Sequence, residues 1–114
     1  MLKSEIKKLD RLFQEKALRK NPNSIFGGKA TEIHHFYSRV NMATRWWYPN
    51  AIPVNRAEHN LFESSRGDKM KENVKRIKGK EWFLKLRQRA NMIVKNIDFN
   101  KVVAYLNGEI NDYI

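Results

Sequence analysis

The chain has 114 residues, with 23 Lys and Arg against 12 Asp and Glu, three His and no Cys, for a formal net charge of +11. That length suits one compact domain, and the missing cysteines exclude disulfides, a Cys-ligated zinc ribbon and a thiol nucleophile. A charge excess of this size points to a polyanionic partner, because each Lys or Arg set on a phosphate releases condensed counterions; a basic protein that is simply kept soluble by self-repulsion is the plain alternative.

No apolar run approaches the ~18 residues that span a bilayer. The first residues, MLKSEIKKLDRLFQEK, are charged throughout, with no apolar signal region. No membrane partner is expected, and a cytoplasmic protein is the default.

Residues 2–20 carry Leu2, Ile6, Leu9, Leu12, Phe13, Ala17 and Leu18 at helical spacing, and Asn21-Pro22-Asn23 stops that helix. Gly27-Gly28 reads as a turn, and Thr31 to Tyr37 as a short strand. A long loop over 38–49 carries Arg45, Trp46, Trp47 and Tyr48. A second strand over 50–55 contains Pro53, which marks it as an edge or irregular strand. Residues 56–65 return to helical spacing with Asn55 placed to cap them, and Gly67 ends the run. Three more helices are predicted over 68–78, 80–95 and 98–112, with Asp68 and Asp98 as N-caps and Gly79 between the first two.

Between residues 60 and 95 there are eleven basic residues and four acidic ones, so much of the excess charge follows the third His. This run reads as a DNA-backbone surface or as the solvated face of amphipathic helices. Trp82, Phe83, Leu86 and Ile93 read as helix core, or as an interface in a homodimer.

All three histidines lie between residues 34 and 59. Hydrolysis of a phosphodiester needs a base for water, a Lewis acid for the crowded negative charge and help for the leaving oxygen. A His of near-neutral pKa suits the first role, and a divalent metal held by imidazoles and carboxylates suits the others. His34, His35, His59 and Glu63 supply such a set. Glu63 follows His59 by four residues and shares its helix face. On a regular strand His34 and His35 point to opposite faces, so a bend or bulge is one way for both to reach a common site.

The segment EIHHFYSRVNMATRWWYPNAIPVNRAEHN resembles the HNH (ββα-metal) endonuclease signature: a His pair on the first strand, an Asn opening the second and a His on the following helix. The steps of 15 residues from His35 to Asn50 and nine from Asn50 to His59 resemble those of the nuclease bacteriocins, while HFYSR and RWWYPN look like phage recombination nucleases of the Rap/NinG type. The resemblance covers about residues 24–66. It implies an α+β fold: residues 1–22 as an N-terminal helix, 24–66 as the ββα-metal core, and 67–114 as a basic helical region.

It also implies the activity, a metal-dependent DNA endonuclease acting in phage recombination or DNA processing, in a bacterial or phage-infected cell. A non-catalytic DNA-binding module that keeps the fold is the alternative, and a metal-stabilised interaction protein is a third. Carried over by position, His35 is the general base, His34 and His59 hold the metal with Glu63, and Asn50 braces the loop. Arg39 and Arg45 are phosphate contacts, with Lys69, Lys75 and Arg76 on the DNA side. Magnesium or manganese is the implied working ion, and zinc or nickel would fit the same donors. Many relatives carry two Cys pairs for a structural zinc. Ser24, Gly27, Asn55 and Glu58 stand at those positions here, so no structural zinc is expected, and Phe26, Trp46 and Trp47 are expected to support the hairpin by burial.

Overall fold

A computed structural model describes residues 1–114 as five helices and one two-stranded antiparallel sheet, an α+β fold. Helix α1 (Lys3–Lys20) buries Leu9, Phe13 and Ala17 and ends at Asn21, whose N–H bonds back to the Ala17 and Leu18 carbonyls. Strand β1 (Glu32–His35) pairs with β2 (Ala51–Val54) in the register Glu32↔Val54, Ile33↔Pro53, His34↔Ile52 and His35↔Ala51. A 3-10 turn, Tyr48–Asn50, feeds β2. Helices α2 (Arg56–Phe62), α3 (Gly67–Lys78), α4 (Lys80–Ala90) and α5 (Phe99–Leu106) follow.

The period of two along β1 divides the core. Ile33 faces α1, where Leu9, Phe13, Trp46, Val102, Tyr105 and Tyr113 close one cluster. Phe36 and Ile52 face the other way, into a second cluster with Val54, Phe62, Met70, Val74 and Leu86. The sheet is thus covered on one side by α1 and α5 and on the other by α2, α3 and α4. Pro53 is accommodated because its partner Ile33 turns its own N–H and C=O away from β2. The Gln14 side-chain amide bonds both, donating to the carbonyl at 2.9 Å and accepting from the N–H at 3.0 Å. The missing N–H of Pro53 therefore removes no ladder bond.

The helix ends differ from expectation. The predicted helix 98–112 stops at Leu106, because Gly108 takes φ +78° and turns the chain. The helix predicted to 95 stops at Ala90, and Ile93, expected in the core or an interface, is 88% exposed. Asn55 and Asp98 cap α2 and α5 through their side chains, but Asp68 does not cap α3, which begins at Gly67. A Cβ on Gly67 would collide with the Phe62 carbonyl oxygen, so a glycine is required there by close backbone approach rather than as a helix breaker.

Ser24, Asn55 and Glu58 form a polar clasp. The Ser24 hydroxyl donates to Glu58 Oε1 at 2.6 Å and accepts from the Phe26 N–H. The same Glu58 oxygen accepts from the Asn55 N–H, while Asn55 Oδ1 accepts from the Glu58 N–H, a reciprocal capping box. Phe26 packs on Phe62 beside it, with ring centres 6.3 Å apart, and Trp46 is fully buried on the opposite side of the sheet. The hairpin is therefore held by hydrogen bonds as well as by the aromatic burial that the sequence suggests.

Candidate functional site

A cleft of about 340 Å³ opens along the free edge of β1, lined by Gln14, His34, His35, Arg39, His59 and Glu63 among others. Five of the sequence-derived candidates (His34, His35, Arg39, His59 and Glu63) meet here. No bulge is needed. His35 lies over Phe13 on the α1 side, ring centres 5.2 Å apart, and His34 stacks on Phe62 on the α2 side at 4.0 Å. The two rings face opposite ways, as strand alternation dictates, and the cleft wraps the edge between them.

His35 has a defined tautomer. Its Nε2 stands 3.0 Å from the Arg45 carbonyl oxygen. A carbonyl only accepts, so Nε2 carries the proton and Nδ1 keeps the lone pair. Burial pushes this ring down to about 4, against the partial support of the Arg45 carbonyl, and the positive charge of Arg39 adds to the fall. The imidazole is therefore neutral at pH 7, with one basic nitrogen on a ring that lines the cleft.

The carbonyl that orients His35 is itself fixed. Asp10 accepts from Arg45 Nε at 3.0 Å and Nη2 at 2.8 Å, and from Trp46 Nε1 at 2.9 Å. Burial alone would raise the Asp10 carboxyl, but the Arg45 and Trp46 hydrogen bonds and the Arg45 and Arg39 charges outweigh it and hold the group below its usual value. Arg45 also donates to the Arg39 carbonyl. Both ends of its guanidinium are engaged and only 16% of the side chain is exposed. Arg45, expected at a phosphate, instead pins the loop to α1. Arg39 is 63% exposed on the cleft wall and makes only a 3.7 Å contact to Asp10.

His59 is oriented in the same way from the other side. Its Nδ1 lies 2.6 Å from Glu32 Oε1, and Arg56 approaches the second Glu32 oxygen at 3.4 Å. With Nδ1–H donated to that carboxylate, Nε2 is left to face Glu63, 3.5 Å from its Oε1. Two electron-pair donors facing each other at that distance call for a proton or a cation between them. His34 completes the neighbourhood: its ring is edge-on to His59 at 5.1 Å, and its Nε2 is buried without any hydrogen-bond partner. Burial pushes His34 down to about 4, with the charges of His59, His35 and Lys71 adding to it. An orphaned imidazole nitrogen, a second imidazole braced by a carboxylate and a nearby carboxylate are a donor set that suits a divalent metal in kind. As placed, no three such groups are gathered into ligating geometry.

Asn50 stands apart from the metal-type donors. It is fully buried, and its side-chain amide brackets Tyr37: Oδ1 accepts from the Tyr37 N–H at 2.8 Å and Nδ2 donates to the Tyr37 carbonyl at 3.0 Å. Its own carbonyl accepts from the Phe36 N–H. The residue thus extends the pairing of β1 with β2 by one step and ties both ends of the long loop together.

The basic residues of α3 are largely engaged within the chain. Lys75 pairs with Glu72 at 3.1 Å and lies 4.2 Å over the Phe83 ring, and Arg76 donates to Asn73. Lys69 is exposed beside Arg66. Three site residues escape a reading by motif: Glu32, Gln14 and Asp10. Glu32 alone had a usable signal, since period two sets it on the His34 face of β1.

No protein-family model, no curated protein and no solved structure matches the chain. No helix is long and apolar enough to cross a membrane.

Proposed function

We propose that this protein is an HNH-type, metal-dependent DNA endonuclease whose ββα module comprises β1, β2 and α2. The observation that carries the reading is the pairing, in one cleft, of a neutral His35 locked with Nε2 protonated and a His59 locked by Glu32 with Nε2 turned toward Glu63. The first is the arrangement of a general base and the second that of a braced metal ligand.

In this reading the scissile phosphate lies along the free edge of β1. His35 Nδ1 takes the proton of the attacking water; its pKa of about 4 keeps the ring unprotonated at neutral pH, at the expense of basicity. The Arg45 carbonyl holds the ring in that tautomer and stabilises the imidazolium that forms. His34, His59 and Glu63 would hold a divalent ion, magnesium or manganese by expectation, with zinc or nickel fitting the same donors. When bound, that ion supplies Lewis-acid stabilisation to the phosphate and the leaving oxygen. Glu32 fixes the His59 ring so that little reorientation is needed. Arg39 contributes charge to a non-bridging phosphate oxygen. Asn50 acts on the loop that carries the Arg45 carbonyl, not on the reacting atoms. The net charge of +11 supports a nucleic-acid substrate.

Incubation of supercoiled plasmid with the protein and manganese tests the reading. Nicking that chelator abolishes is the expected result. DNA binding without nicking under any divalent ion would leave the non-catalytic alternative in its place.

A further inference from the structure

Beside the His cleft lies a second concavity of about 450 Å³, walled by Lys3, Lys7, Asp10, Arg39, Val40 and Arg45 among others. Arg39 belongs to both walls. The floor carries one carboxylate, Asp10, which Arg45 already neutralises in a two-point ion pair. Lys3 and Lys7 are thus left without a carboxylate partner, and Arg39 has only its 3.7 Å contact to Asp10. Lys3 and Lys7 are exposed, and neither has a carboxylate within 4.0 Å. They stand one helical turn apart on one face of α1, about 6 Å along its axis, close to two nucleotide steps of about 3.4 Å each along one strand. On α3, by contrast, Lys71, Lys75 and Lys78 lie over the Phe36, Phe83 and Trp82 rings, where they help to hold the helix in place.

We propose that Lys3 and Lys7 of α1, with Arg39 as the hinge between the two concavities, form a phosphate-backbone subsite that takes the DNA strand as it leaves the His cleft. The strand then runs from the free edge of β1 across α1, not along α3 as the charge run after residue 60 suggests. The inference rests on the DNA reading above and adds the direction of the strand. Neither lysine touches the reacting phosphate. Their contribution is the sequence-independent, salt-sensitive part of binding.

The test is binding of the full chain to a 30-base-pair duplex in chelator, which prevents cleavage, over a salt series. Each phosphate contact removed should lower the slope of log K against log salt by about 0.9. Lys3→Gln/Lys7→Gln should therefore lose about 1.8 of that slope, and its loss of affinity between 50 and 200 mM salt should be about 12-fold smaller than the parent's. Lys69→Gln/Arg76→Gln, on α3, should change the slope by less. Circular dichroism checks that both pairs fold, as exposed side chains should allow. An unchanged slope in the α1 pair, or a fall in the α3 pair as large, would overturn the subsite and leave the DNA reading standing. A parent that does not bind, or binds with no salt dependence, would overturn both.

Discussion

Replacing Asn50 separates its bracing role from chemistry. Asn50→Ala removes both side-chain hydrogen bonds to Tyr37 and leaves that residue's N–H and carbonyl without protein partners. A buried backbone group so stranded costs about 1–3 kcal/mol. Tyr37 is half-buried, so water relieves part of this, and the low end of about 1 kcal/mol for each group is the appropriate figure. The vacated space at a fully buried position adds about 1 kcal/mol more. Asn50→Ala should therefore lose roughly 3 kcal/mol in urea unfolding in chelator, and its thermal midpoint should fall by on the order of 10 °C. Asn50→Asp should fare no better, because a carboxylate accepts from the Tyr37 N–H but opposes its carbonyl. A loss below about 1 kcal/mol in Asn50→Ala would refute the view that this amide ties the loop to the strand.

Other expectations follow from the same geometry. Glu32→Gln should weaken manganese or zinc binding by about 10–100-fold, as loss of an outer carboxylate partner does, with calorimetric titration as the readout. Wild-type affinity in that variant would remove Glu32 from the site. Ser24→Ala should cost about 1–2 kcal/mol in urea unfolding in chelator, since it leaves Glu58 short of a partner. Burial lowers His34 and His35 from the ordinary 6.5 to about 4, so below pH 6.5 the unfolded chain takes up protons that the folded chain refuses. The associated stability is complete above 6.5 and is lost as pH falls toward 4. Between pH 7 and 5 the loss should be about 2–3 kcal/mol for the pair after allowance for their partial exposure, and His34→Gln/His35→Gln should flatten the urea-unfolding profile over that range.

Much of the site was legible because its residues sit on regular elements. EIHH on a strand and EHNLFE on a helix obey periods of two and 3.6, so the shared face of His59 and Glu63 follows from spacing, while the meeting of His34 with His59 was expected only from the resemblance to the HNH signature. The same period applied to Glu32 would have placed it on the His34 face of β1. Long-range pairings were hidden. Nothing local tells that Asp10 of α1 meets Arg45 or that Gln14 mimics a strand along the edge of β1, and an unpaired Arg in a loop reads as a phosphate contact. Asp112 was likewise hidden: it meets Arg89 of α4 in a two-point pair that anchors the chain end, where Tyr113 bonds the Ala43 carbonyl. The overlong helices have a local cause. Apolar spacing continued past Ala90 and Leu106, but Asn107-Gly108 favours a turn, and Met92 and Ile93 find no partner surface.

The central claim is that His35 is the base of a metal-dependent phosphodiester hydrolysis, and single-turnover nicking of plasmid DNA by His35→Ala tests it most directly. The account predicts manganese-dependent nicking by the parent and a loss of about 10²–10⁴-fold in the variant, with metal affinity unchanged because His34, His59 and Glu63 remain. Nicking by His35→Ala at the parental rate would contradict it.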